Sequence, residues 1–62
     1  MIQEGTHVYW RTAPALTGKV LDVSQWRLQV KVRITSDPFG LTLEGFEFWW
    51  PMEYWREQQQ GS

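Results

Sequence analysis

Cysteine is absent from the 62-residue chain, so disulfides and thiolate zinc sites are excluded. Histidine is nearly absent too, since His7 stands alone and builds no metal site by itself. No run of 18 apolar residues occurs, which leaves no candidate membrane helix. The start, MIQEGTH, lacks a basic region followed by an apolar stretch, so no secretory signal is visible. These absences lead to the expectation of a cytoplasmic protein with no cofactor and no metal. Charge of one sign is missing as well: six basic and seven acidic residues give a net charge of −1 and no overall polyanion-binding signature. Catalytic patterns are lacking in the same way. There is no Ser/His/Asp set, no glycine-rich phosphate loop and no metal-ligand spacing, so the chain reads as a non-enzyme.

Aromatic residues are what the chain has in excess: five Trp, three Phe and two Tyr. A domain this short buries only roughly 60% of the surface that its unfolded chain exposes. It therefore needs large core side chains or self-association to be stable. Each aromatic ring buries ~150–250 Å², so a few are enough to close a small core. Six of the ten lie in one stretch of eleven residues, GFEFWWPMEYW, from Gly45 to Trp55.

The punctuation is that of short strands. Gly5, Pro14, Gly18, Ser24-Gln25 and Ser36-Asp37-Pro38-Phe39-Gly40 separate apolar stretches of four to ten residues. The predicted strands are Thr6 to Arg11, Gly18 to Val23, Trp26 to Thr35 and Leu41 to Trp50, with a loop from Thr12 to Thr17. The second needs a bulge near Leu21 or Asp22 to reconcile its apolar pattern. In the third, Trp26, Leu28, Val30, Val32 and Ile34 share the inner face, and Arg27, Gln29, Lys31, Arg33 and Thr35 the outer one. The two-residue turn before it is Ser24-Gln25. Gly45 is expected to bulge or bend the fourth strand, with Phe46, Phe48 and Trp50 inward and Trp49 outward. Pro51 ends the ladder, and one helical turn leads into a short fifth strand. The expected whole is a small five-stranded antiparallel all-β domain over residues 1–57, with a polar frayed tail at 58–62 ending in Gly61-Ser62, a possible cloning remnant.

Gly5-Thr6-His7-Val8, Gly18-Lys19-Val20, the long third strand and Trp50-Pro51 followed by Tyr54-Trp55 together resemble the SH3-like small barrel. That superfamily includes Tudor and KOW modules and the type II plasmid dihydrofolate reductases. The resemblance implies an SH3-like barrel over about residues 4 to 56 but no single activity, because the fold hosts many. The plasmid reductases carry a Val-Gln-Ile-Tyr motif where this chain has Phe46-Glu47-Phe48-Trp49, so their pore chemistry is not carried over. An oligomer with a pore active site stays as a third alternative.

Two candidate surfaces emerge. Tyr9 and Trp49 fall on the outer faces of their strands, and of the adjacent Tyr54 and Trp55 only one can point inward. Tyr9, Trp49, Tyr54 and Trp55 are therefore the candidates for binding a protein partner or a second copy of the chain. Arg27, Lys31 and Arg33 share one strand face and form the candidate nucleic-acid site. Asp22, Glu44 and Glu47 are the natural cross-strand partners for that basic face, and with acidic residues in slight excess the pairing reading is the stronger.

Overall fold

A computed structural model describes residues 2–58; the expected ends of the chain at Met1 and at 59–62, Gly61-Ser62 included, lie outside the described residues. Strands β1 (His7–Trp10), β2 (Ala13–Ser24), β3 (Gln29–Ser36), β4 (Glu47–Pro51) and β5 (Trp55–Glu57) form one antiparallel sheet in the order β4-β3-β2-β1-β5. A single 3₁₀ turn, Met52–Tyr54, joins β4 to β5, as the sequence predicts.

One sheet with no second layer can bury a face only by curling on itself. Ring contacts show that it does. In a flat sheet β1 and β4 would stand three strand spacings apart, about 14 Å. Yet the Trp10 and Trp50 rings on those strands are 5.6 Å apart, and Trp50 lies 5.8 Å from Trp55 on the opposite edge. The enclosed core is Val8, Val20, Val30, Val32, Ile34 and Trp55. The alternation from Val30 to Ile34 therefore points inward as predicted.

Glycines and bulges shape the sheet. Val20 pairs with Val32 and Asp22 with Lys31, leaving Leu21 as the extra residue of the expected bulge. Before β4, Gly45 has φ +87 and its N–H donates to the Ile34 carbonyl at 2.8 Å, while the Ile34 N–H donates to the Phe46 carbonyl at 2.9 Å. Two residues thus oppose one, with a left-handed glycine first, which is a bulge of the G1 type. The Phe46 N–H also donates to the Leu43 carbonyl, closing a tight turn that needs the positive φ of Gly45.

Three boundaries differ from the prediction by more than one residue. β2 begins at Ala13 instead of Gly18, because Pro14, Ala15 and Leu16 are extended where the register with β1 breaks, and there the proline's missing N–H interrupts no ladder. Leu41 to Gly45 is not strand; the Asp37 carboxylate accepts from the Phe39 and Leu43 N–H groups and folds that segment into a loop. β3 begins at Gln29 instead of Trp26. The connection is a four-residue loop, Gln25 to Leu28, closed by a Leu28 N–H to Gln25 carbonyl bond, and not a Ser24-Gln25 turn.

Leu28 has φ +55, which reverses the pleat and takes Trp26 and Leu28 off the inner face; Trp26 is 81% exposed. A branched side chain in the left-handed region is strained by roughly 1–2 kcal/mol. Leu28→Asn is therefore expected to raise stability by about 1 kcal/mol, read as a higher urea midpoint at unchanged slope.

Candidate functional site

The four aromatic candidates do not converge. Trp55 is 1% exposed and forms the floor of the core, so it is not available to a partner. The 3₁₀ turn sets this phase by turning Tyr54 aside and letting Trp55 enter β5 facing inward. Tyr54 is half-buried, its ring 5.1 Å from Trp10 with the Arg11 guanidinium 5.1 Å from its centroid. Tyr9 is half-buried on the outer face of β1, paired with Thr17 and Arg56, and two strands separate it from β4. Only Trp49 is presented as predicted, 46% exposed on β4.

Phe46 and Phe48 correct the prediction in the other direction. Parity gives Phe48 the same face as its partner Val32, which is buried. β4, however, is the sheet's edge, and among the described residues no strand pairs with its far side. Phe46 and Phe48 remain 49% and 46% exposed and stack at 5.6 Å, with Phe48 5.9 Å from Trp50. From Trp50 the ring contacts continue to Trp10 and Trp55. A stripe of aromatic surface therefore runs from the edge into the core. The sequence signal for it was Gly45 and Pro51, which bracket a short strand with no partner to its outer side.

On the other face, Trp49 and Trp26 line a depression of about 400 Å³ with Ser24, Arg27 and Gln29. The Arg27 guanidinium lies 4.6 Å from the Trp26 ring centroid. Arg27 is thus in the loop and not on the face shared by Lys31 and Arg33. Lys31 stands opposite Asp22 on one side and Trp49 on the other, and Arg33 stands opposite Glu47. The three basic residues do not form one patch; two of them face carboxylates in register.

A larger groove of about 800 Å³ lies between the Gln25–Leu28 loop and the 3₁₀ turn, lined by Leu28, Met52, Arg27 and Arg56 among others, with Trp55 at its base. The Arg56 guanidinium already donates to the Glu53 and Trp55 carbonyls. The buried indole N–H groups of Trp50 and Trp55 have no acceptor.

No protein-family model, curated protein or solved structure matches this chain. The chemistry must therefore be read from the residues. Among the described residues no group of three or more His, Asp or Glu is placed to hold a metal ion, and no helix is long and apolar enough to cross a membrane. Phe46, Phe48, Trp49 and Trp26 offer apolar contact and stacking, and the edge of β4 offers unpaired backbone groups.

Proposed function

We propose that the domain is a non-catalytic binding module that docks a protein through β4. The observation that carries this reading is a short edge strand with half-exposed aromatic rings on both of its faces. Aromatic residues are enriched where binding energy concentrates, and a contiguous exposed apolar patch marks an interaction surface. The strand order, with β5 beside β1, supports the SH3-like resemblance, but that fold by itself names no partner.

The double variant Phe48→Ser/Trp49→Ser tests the reading. Both side chains are half-exposed, so the variant is expected to keep its cooperative thermal transition. It is also expected to lose at least tenfold in affinity for any protein that the wild-type domain binds. Equal affinity in the folded variant overturns the proposal.

A second reading is favoured by one observation: Trp26, Arg27 and Trp49 line one depression, with the Arg27 guanidinium over the Trp26 ring. Single-stranded nucleic acid is bound by such a combination. Salt-sensitive quenching of tryptophan fluorescence by an oligonucleotide supports it, and no quenching at low salt removes it.

A further inference from the structure

We infer that the occupant of the β4 edge is the β4 edge of a second copy of this chain, paired antiparallel about a two-fold axis at Phe48. This rests on the reading of β4 as the docking element and specifies its partner.

The hydrogen-bond phase of β4 carries the inference. The Ile34 N–H donates to the Phe46 carbonyl at 2.9 Å, and the Met52 N–H to the Leu28 carbonyl at 2.9 Å. Antiparallel ladders alternate between bonded and non-bonded pairs. Phe48 opposite Val32 and Trp50 opposite Val30 are therefore bonded pairs, and Glu47 opposite Arg33 and Trp49 opposite Lys31 are not. Glu47 and Trp49 consequently turn their N–H and C=O groups away from β3, toward the open edge. Gly45 bulges the chain before them, and Pro51 has no N–H to offer after them. The free edge is thus one short segment with two donors at Glu47 and Trp49.

An antiparallel partner strand must put inward residues opposite inward residues, so the two-fold axis passes through a residue. At Glu47 it would set the two Glu47 carboxylates against each other. At Trp49 it would leave Phe46 beyond the paired rings. At Phe48 it sets Glu47 opposite the partner's Trp49, and the reciprocal pair uses every free N–H of both edges. On the inner face the same register sets Phe48 against the partner's Phe48, and Phe46 against the partner's Trp50. On the outer face the row reads Arg33, Glu47, the partner's Trp49, the partner's Lys31, with no like charges adjacent. The edge is complementary to itself in this one register, and a net charge of −1 adds little repulsion.

The area sets the strength. Rings of ~150–250 Å² that are about half exposed bring roughly 300 Å² from Phe46, Phe48 and Trp49 of each copy. That falls below the ~800 Å² per partner of a standard specific interface. The dimer is therefore an exchanging one, populated at high micromolar concentration.

Sedimentation equilibrium between about 20 µM and about 1 mM tests this. The mass is expected to climb from 7.4 kDa toward twice that value. Over the same range the amides of Glu47 and Trp49 gain protection from hydrogen exchange, while those of Phe48 and Trp50 are protected throughout. Glu47→Pro removes an outward N–H without touching a bond to β3, and it is expected to weaken the dimer at least tenfold. A monomer at every concentration overturns the inference and leaves docking of other proteins to the Phe48→Ser/Trp49→Ser test. A dimer whose Glu47 and Trp49 amides stay unprotected overturns the edge pairing while the aromatic surface still binds. The exchange readout decides the matter even if Glu47→Pro fails to fold.

Discussion

Trp55→Ala is expected to leave the domain largely unfolded at 25 °C. The side chain is 1% exposed, and its ring lies 5.3 Å from Trp10 and 5.8 Å from Trp50. Truncating a buried Trp costs about 3–5 kcal/mol. A domain of this length holds only roughly 3–9 kcal/mol in total, so the loss approaches the whole. The effect is also topological, because Trp55 joins β5 to rings on β1 and β4 and so holds the curled sheet shut. Trp55→Phe separates ring packing from the polar atom. It keeps most of the apolar fill and removes an indole N–H that has no acceptor, a group whose burial unpaired costs about 1–3 kcal/mol. Its urea midpoint is expected to stay much nearer the wild type than that of Trp55→Ala. Retention of wild-type near-ultraviolet circular dichroism by Trp55→Ala would show that Trp55 does not close the core.

Gly18→Ala is the second large effect. A methyl at this position collides with the Val32 Cγ1 and meets the Arg33 carbonyl oxygen at 2.9 Å. Both neighbours resist, because Val32 is fully buried in the core and the carbonyl belongs to the β2–β3 ladder. Overpacking of this kind costs about 1–3 kcal/mol, and the backbone contact puts Gly18→Ala at the upper end. The cause is space and not backbone conformation, since Gly18, unlike Gly5, Gly40 and Gly45, has no positive φ. Val32→Ala should therefore recover part of the loss in a double-mutant cycle, with the remainder due to the carbonyl. Full additivity of the two changes in urea unfolding would contradict this account.

Parity along a strand carried much of the fold. Val30, Val32 and Ile34 lie inside because their alternation is uninterrupted, and the bulges at Leu21 and Gly45 were visible as breaks in pattern or as an interior glycine. What parity does not encode is how many neighbours a strand has. Phe48 faces the same way as Val32 and yet stays half-exposed, because β4 is an edge, and edge position is a property of the whole sheet. Trp26 and Leu28 continued the β3 pattern in sequence, but a single left-handed residue at position 28 ends the pleat. Sequence spacing alone gave no sign that a leucine would adopt it. The choice between Tyr54 and Trp55 depended on the phase of a three-residue turn. For the basic set, Lys31 and Arg33 share a face as read, while Arg27 left it with the loop. The candidate site changed accordingly, from Tyr9, Trp49, Tyr54 and Trp55 to Trp49 with Phe46, Phe48 and Trp26.

The pairing of β5 with β1 bears on how the protein is made. Val8 stands opposite Glu57 and Trp10 opposite Trp55, so β1 finds its second neighbour only after β5 has been synthesised. Until then the ring contacts that Trp10 and Trp50 make with Trp55 are missing. Closing so long a loop is slow relative to hairpin formation. During that interval the growing chain displays more aromatic surface than the finished one does, and it is then that the protein is most exposed to capture by a chaperone or by another nascent copy.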